Sequence, residues 1–177
     1  VDLFDIGYDS SFKLKEDGND IPCITFPIKD IAGNCLFIAR RAINSKLFNY
    51  PEKKLKPLYA VHELAVTNGF DDELYVTESI INCLTLWESG LKAVALNGTG
   101  SEYQYELLKN IPNRKLVLAL DTGDKPGRIG VNKLYKQLKQ NKLLSWLVMP
   151  DKTDMNELYL QDKDNFLNNL KNIKKSY

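Results

Sequence analysis

Residues 115–130 of the chain, KLVLALDTGDKPGRIG, decide the fold. An uninterrupted apolar run, residues 116–120, stops at Asp121, and a second acid, Asp124, follows three positions later. The pattern after Pro126 is that of a helix. A short apolar run that leads through a turn into a helix is typical of a buried strand in an open α/β sheet, and ligands bind at the carboxyl edge of such sheets. Two carboxylates with no basic residue between them suit a hard divalent cation such as Mg2+.

Strand and helix patterns alternate on both sides of this stretch. Further strands are predicted at residues 73–77, 93–96 and 145–149, and helices at 79–89, 101–109, 126–140 and 154–160. Alternation of this kind implies right-handed βαβ crossovers and a mostly parallel sheet. We therefore predict an α/β, Rossmann-like fold with a mostly parallel sheet of about four strands and flanking helices.

The first part of the chain is organised differently. Residues 1–20 are polar and rich in turn-forming residues, with a hairpin-like turn at 17–20. Residues 23–28 and 35–42 are predicted to pair as an antiparallel hairpin, and residues 59–66 to form a short helix. We assign residues 1–70 to a small basic α+β subdomain. Residues 71–177 are assigned to the parallel-sheet domain, with a helical tail that frays at its end.

The overall charge gives no argument for nucleic-acid binding, because the net charge is only +1. A local argument exists in residues 43–58, where Lys46, Lys53, Lys54 and Lys56 are interleaved with aromatic residues. Such a stretch can bind a nucleic-acid backbone, but composition alone favours a solvated loop.

The three scattered cysteines and the single histidine argue against a structural zinc site. With no secretory signal and no apolar run of membrane-spanning length, the free thiols lead us to expect a cytoplasmic protein with no membrane contact. The chain begins with Val1 rather than Met, so we expect it to be a segment of a longer protein.

Acids follow three strand ends of the second domain. Glu78 follows the first strand, Asp121 and Asp124 follow the third, and Asp154 follows the fourth. Parallel strands bring these ends to one edge, where the carboxylates repel one another unless a cation neutralises them. A lone acid after a strand is usually a helix cap. It is their coincidence that predicts a Mg2+ or Mn2+ site that faces phosphates.

Several other classes of site are excluded by their missing motifs. The glycines of residues 97–100 do not complete the G-x-G-x-x-G of a dinucleotide site, and no G-x-x-x-x-G-K-[ST] sequence occurs. No Cys–His or Ser–His arrangement suggests a covalent nucleophile.

Two segments, VTESIINCLTLWESGLKAVALNGTG (residues 76–100) and LVLALDTGDKPGRIG (116–130), resemble a Toprim domain. Bacterial-type primases, type IA and II topoisomerases and some nucleases share this domain, which has a Glu after its first strand and an Asp-x-Asp pair after its third. The resemblance gives Glu78 a role in general acid/base or metal chemistry and gives Asp121 and Asp124 the Mg2+. The spacing here is D-x-x-D, one residue longer than in the family.

Further positions bear on this resemblance. Gly127 and Arg128 match the A-G-R that usually follows the acidic pair, and residues 152–157 resemble the K-D-x-N-E stretch that closes many Toprim domains. Primases tend to carry an Asp four residues after the Glu. Here that residue is Asn82, which could coordinate a metal through its carbonyl, and Asp154 is a further candidate ligand.

The first subdomain resembles the basic subdomain that precedes Toprim in bacterial-type primases. The resemblance lies in ITFPIKDIAGNCLFIARRAI (residues 24–43), KLFNYPE (46–52) and LYAVHEL (58–64), where Arg41, Lys46, Asn49 and Pro51 occupy matching positions. In that family the basic residues line the cleft that faces the metal and hold the template or the nucleoside triphosphate.

The resemblance therefore implies the catalytic core of a DNA primase, a nucleotidyltransferase that makes short RNA primers in DNA replication with Mg2+ or Mn2+. It implies that Arg41, Lys46, Asn49 and Arg128 bind nucleic acid or nucleotide. The implied partners are a single-stranded DNA template, nucleoside triphosphates and a replicative helicase contacted through domains outside this chain.

Two alternatives stay open. One is a Toprim nuclease or a fragment of a topoisomerase. The other is a catalytically degenerate Toprim module that binds nucleic acid, as in a mobile element, and Asn82 and the D-x-x-D spacing favour it.

Overall fold

The computed structural model describes residues 3–14, 18–45, 47–51, 55–70, 73–123, 125–151 and 153–176. The chain divides into two compact units, Val1–Leu55 and Lys56–Tyr177. This boundary lies earlier than the predicted one near residue 70. The reason is that Leu58, Val61 and Leu64 are buried in the same core as the strands of the second unit.

The first unit contains a four-stranded antiparallel sheet. Its strands are β1 (Gly7–Phe12), β2 (Ile21–Lys29), β3 (Cys35–Ala42) and β4 (Phe48–Asn49), in the spatial order β1-β2-β3-β4. The predicted hairpin of β2 and β3 is confirmed, with Cys23 opposite Ala42 and Phe26 opposite Ala39. The strand β1 was not predicted, because its polar sequence GYDSSF contains no alternation of apolar and polar residues.

The second unit is an α/β layer structure. Its elements are α1 (Val61–Val66), β5 (Leu74–Thr77), α2 (Ile80–Glu88), β6 (Ala93–Ala95), α3 (Glu102–Asn110), β7 (Lys115–Ala119), α4 (Lys125–Leu138), β8 (Leu143–Leu147), α5 (Met155–Gln161), α6 (Phe166–Ile173) and β9 (Lys174–Ser176). The sheet has the order β6-β5-β7-β8-β9, with the first four strands parallel and β9 antiparallel to β8. The predicted mostly parallel sheet with flanking helices is confirmed.

The strands β5 and β7 lie at the centre of this sheet and form its core. All four residues of β5 are buried, as are residues 116–120 in and after β7. Strands covered by helices on both faces need such continuous apolar runs, which is why residues 116–120 carry no alternation. Because β5 and β7 are parallel neighbours, the residues that follow them lie at the same edge of the sheet, its carboxyl edge.

The tail of the chain forms a helix and a strand up to Ser176, and Tyr177, where fraying is predicted, lies outside the described residues. The helix α6 buries Phe166 and Leu170, and the ring of Phe166 meets that of Tyr159 edge to face at 5.2 Å between centroids. The chain then adds β9 to the sheet, with Lys175 opposite Trp146. The sequence did not predict β9, because its residues KKS have low strand propensity and the strand depends on pairing with β8. Among the described residues, the helices are too short and too polar to cross a membrane.

Candidate metal site at the strand ends

Two predicted acids lie at the carboxyl edge of the two central strands. The parallel strands β5 and β7 are neighbours, with Thr77 opposite Ala119. Glu78 directly follows β5, and Asp121 comes two residues after the end of β7. Both side chains are partly exposed. The fold thus brings these two carboxylates to adjacent strand ends, as the spacing of the sequence predicts.

Asp121 is held by the side chain of Asn82, which lies in the first turn of α2. The Asn82 amide nitrogen donates a hydrogen bond to the Asp121 Oδ1 atom at 3.1 Å. The side-chain carbonyl oxygen of Asn82 in turn accepts a hydrogen bond from the backbone N–H of Asn156 at 3.3 Å. Asn82 is only 1% exposed. The donor from Asn156 sets the orientation of the amide, so Asn82 donates to Asp121 in this structure, and its coordination of a metal stays a prediction.

This arrangement continues into α5. The Thr85 hydroxyl donates to the side-chain oxygen of Asn156 at 3.1 Å, so two residues of α2 contact the start of α5. A hydroxyl of Ser79 accepts the backbone N–H of Asn82 and caps α2. Asn156, which lies in the stretch that resembles the closing Toprim motif, therefore positions Asn82. Thr85 and Asn156 carry no signal in the sequence that would mark them as partners.

The turn that carries Asp121 is tied to the neighbouring strand by Thr122. The Thr122 hydroxyl donates to the carbonyl of Leu147 at 3.1 Å and accepts the N–H of Met149 at 2.7 Å. Sequence reasoning missed this residue, whose only signal is a hydroxyl side chain directly after the strand-end acid. Thr122 fixes the direction in which the chain leaves β7.

Arg128 contacts the same turn from the first part of α4. Its guanidinium donates to the backbone carbonyl of Thr122 at 3.3 Å, and the side chain is exposed. The predicted site residue Arg128 thus lies near the acidic edge of the sheet. The predicted metal ligand Asp124, and Lys152 of the stretch that resembles the closing Toprim motif, lie outside the described residues.

Asp154 is the N-cap of α5. Its Oδ1 atom accepts the N–H of Glu157 at 2.8 Å, while the Glu157 carboxylate accepts the N–H of Asp154 at 3.1 Å. This reciprocal pair is a capping box, which satisfies two amide groups at the helix start. One oxygen of Asp154 is therefore used by the helix. Within the part of the chain that the structure describes, no group of three or more His, Cys, Asp or Glu side chains is placed to hold a metal ion.

The chemistry of this edge fits a magnesium ion held by few protein ligands. Mg2+ keeps several waters and typically binds through one or two carboxylates. Glu78 and Asp121 supply two carboxylates at neighbouring strand ends on a partly exposed surface. Two further carboxylates are predicted ligands: Asp154, one oxygen of which caps α5, and Asp124, which lies outside the described residues.

The loop after β6 closes the edge beside Glu78. The N–H of Gly98 donates to the backbone carbonyl of Glu78 at 3.0 Å. Gly100 has a φ of +90°, and a Cβ there would lie 2.6 Å from the ring of Tyr105. The Tyr105 hydroxyl donates to the carbonyl of Thr99 at 3.1 Å. The glycines of this loop therefore serve a tight turn packed on α3 and not a dinucleotide.

The first unit places two of the predicted nucleic-acid-binding residues, Arg41 and Asn49, on opposite faces of its sheet. Paired residues of adjacent strands point to the same face of a sheet. Arg41 lies opposite Phe48, whereas Asn49 lies opposite Arg40, so Arg41 and Asn49 point to opposite faces.

Arg40 donates to the Asp9 carboxylate at 3.0 Å, and this hydrogen bond lowers the pKa of Asp9. Arg41 is half-buried, and Lys46 lies outside the described residues.

Comparison with known proteins finds a similarity within the second unit. Residues 75–159 match the Toprim-like family, a segment that runs from β5 into α5 and contains Glu78, Asp121 and Asp154. No curated protein matches the chain.

Solved structures then extend the likeness to both units. The E. coli primase catalytic core has a TM-score of 0.76 at 18% identity, covering 97% of this chain and 68% of that chain. A DNA primase domain from Pseudomonas aeruginosa gives 0.70 at 21% identity, covering 99% and 58%. A DnaG primase catalytic domain bound to ssDNA gives 0.71 at 20% identity, covering 87% and 52%. The chain has the fold of a primase catalytic core, as the sequence resemblance implies, and spans between 52% and 68% of these chains.

Proposed function

We propose that the chain is the catalytic core of a DNA primase, which makes short RNA primers on a single-stranded DNA template with Mg2+ or Mn2+. One observation carries the proposal: Glu78 and Asp121 follow neighbouring parallel strands that are in register at Thr77 and Ala119. A pair of carboxylates at this edge is suited to phosphoryl chemistry because it can hold a cation against a triphosphate.

The acidic residues have separate roles in this proposal. Asp121, with Asp124 from the same turn, would hold the metal ion, which when bound offsets the charge on the phosphates of the incoming nucleotide. Glu78 accepts the proton of the attacking 3′-hydroxyl or holds a second ion. Asn82 keeps the Asp121 carboxylate in one orientation through its hydrogen bond. Asp154 contributes mainly by capping α5.

The basic residues would bind the nucleic acid and the nucleotide. Arg41, Lys46 and Arg128 supply positive charge for phosphates. Asn49 points to the opposite face of the sheet from Arg41, so one ligand surface would include Arg41 and not Asn49. A replicative helicase, reached through segments outside this chain, and a cytoplasmic location complete the proposal.

A second candidate is a degenerate Toprim module that binds nucleic acid without catalysis. The orientation of Asn82 supports it, because a position at which primases tend to carry an Asp supplies a neutral donor here. Fewer carboxylates at the edge would weaken metal binding.

One experiment separates these functions. The chain is incubated with single-stranded DNA, labelled ribonucleoside triphosphates and Mg2+, with Mn2+ in a parallel series, and the products are resolved by length. Short labelled RNA supports the primase. Cleavage of the DNA without synthesis supports a Toprim nuclease. DNA binding with neither product, together with no heat of Mg2+ binding in calorimetry, supports the degenerate module.

A further inference from the structure

A second polar site lies at the opposite edge of the parallel sheet. A pocket of about 440 Å³ opens where β7 and β8 begin and where β9 ends. Lys115 at the start of β7 lines this pocket. Six residues of extended chain separate Lys115 from Asp121, which corresponds to roughly 20 Å. The pocket is therefore distinct from the strand-end carboxylates.

Positive charge dominates the lining of this pocket. Lys115, Lys139, Lys142 and Lys174 line it, and Glu73 is the one acid among its lining residues that the structure describes. Glu73 is already paired, because the Lys174 ammonium contacts its carboxylate at 2.5 Å. The side chains of Lys115 and Lys139 are exposed at the rim. Clustered like charges of this kind favour an anion between them.

The wall of the pocket also holds a buried cation. Lys142 is only 9% exposed, and its ammonium donates to the carbonyls of Ile111 and Asn113. An ammonium has three donors, so one remains beyond these two carbonyls. Burial lowers the pKa of Lys142, and a nearby anion would favour the charged form.

Hydroxyl groups complete the set of donors. Ser145 of β8 and Ser176 of β9 are directly opposite in the antiparallel pair and both line the pocket. Residues directly opposite point to the same face of the sheet, so the two hydroxyls lie side by side. Lysine ammonium groups and hydroxyls without arginine suit the distributed charge of several phosphate groups rather than one planar carboxylate.

We propose that this pocket binds a small ligand that carries a chain of phosphates, of the size of a nucleoside triphosphate. Its volume falls in the usual range for small-molecule pockets, about 300–1,000 Å³. Tyr135 and Leu144 supply the apolar surface on which a base could pack. The proposal does not depend on the proposed function, because it uses none of the residues at the carboxylate edge.

The test is an NMR titration of the full chain with sodium tripolyphosphate, in EDTA so that metal-dependent binding at the other edge is absent. The amide signals of Leu143, Ser145 and Ser176 are expected to shift, while those of Glu78 and Asn82 stay in place. Shifts at Glu78 and Asn82 instead, or no shifts, would overturn the proposal. ATP in place of tripolyphosphate should give the same set of shifted signals.

Variants give the second measurement. The double variant K115Q/K139Q removes the two exposed cations of the rim and is expected to weaken tripolyphosphate binding about tenfold. The matched control K136Q/K171Q also removes two exposed lysines, neither of which lines the pocket, and should change the affinity less than twofold. An equal loss of tripolyphosphate affinity in both double variants would mean that the anion is attracted by overall charge, which would contradict a specific site. Binding of single-stranded DNA, but not tripolyphosphate, through Lys115 and Lys139 would also contradict the proposal.

Discussion

The amide nitrogen of Asn82 lies 3.1 Å from the Oδ1 atom of Asp121, so a neutral donor in α2 holds the acid that follows β7. Asn82 is almost completely buried, and its own carbonyl is fixed by the backbone N–H of Asn156. A third carboxylate at this position would repel Asp121 in the absence of metal and attract a cation more strongly. The Asn therefore favours a stable metal-free site at the cost of metal affinity.

The variant Asn82→Asp tests this relationship. It replaces a buried donor by a third carboxylate, so the free energy of unfolding without metal should fall by about 1–3 kcal/mol. Added Mg2+ should restore more stability to the variant than to the parent chain, because a ligand that binds only the native state stabilises it. Thermal unfolding with EDTA and with Mg2+ measures both effects. Identical melting temperatures and Mg2+ responses for the two proteins would show that Asn82 does not act on Asp121.

Thr122 provides a second prediction. In Thr122→Val the shape is kept, but the carbonyl of Leu147 and the N–H of Met149 lose their hydroxyl partner. The free energy of unfolding should fall by about 1–3 kcal/mol, as measured by urea denaturation. The control Thr153→Val removes an exposed hydroxyl that contacts only Asp151 among the described residues, and should cost less than about 0.5 kcal/mol. Equal stability of the two variants would mean that Thr122 does not fix the turn.

Two substitutions distinguish a role of Asp154 as the N-cap of α5 from a role as a metal ligand. Asp154→Ala should destabilise the protein by about 1 kcal/mol, whereas Asp154→Asn should not, because Asn is also a good N-cap. If Asp154 acts mainly as a cap, Asp154→Asn also leaves the Mg2+ affinity unchanged in calorimetry. A clear loss of Mg2+ affinity in Asp154→Asn would instead make Asp154 a metal ligand.

Arg41 and Arg40 form a matched pair on opposite faces of β3. Arg41→Gln should weaken binding of single-stranded DNA at low salt and reduce the slope of log K against log salt by about 0.7, the value for one phosphate contact. Arg40→Gln removes the same charge, and the contacts of Arg40 within the described part of the chain are with Asp9 and the Phe12 ring. Fluorescence anisotropy across a salt series measures both. A slope that changes equally in the two variants would contradict a specific role of Arg41.

The sequence predicts the parts of this fold that depend on local pattern. The continuous apolar run before Asp121 indicates a central strand. The helix predicted at residues 101–109 is confirmed as α3, which Ser101 and Gln104 cap. The strands β1 and β9 are different, because their residues carry weak local preferences. The strand β1 pairs with the next strand, β2, whereas β9 pairs with β8 across the two intervening helices. No local pattern specifies those pairings.

Some features of the candidate site can likewise be predicted from the local sequence, and others cannot. The positions of Glu78 and Asp121 at strand ends follow from local pattern and parallel topology. The orientation of Asn82 does not, because it is set by Asn156, a residue 74 positions later in the chain. The opposite faces of Arg41 and Asn49 likewise depend on the register between β3 and β4.

The most direct test of the central claim is Mg2+-dependent primer synthesis by the variant Asp121→Asn. Asn has nearly the same shape as Asp but removes the negative charge that would hold the metal ion. The exposed Asp164, which follows α5, gives the matched control Asp164→Asn. We predict that Asp121→Asn lowers the rate of primer synthesis on single-stranded DNA at least ~100-fold, while Asp164→Asn keeps the parent rate. Primer synthesis at the parent rate by Asp121→Asn would contradict the account.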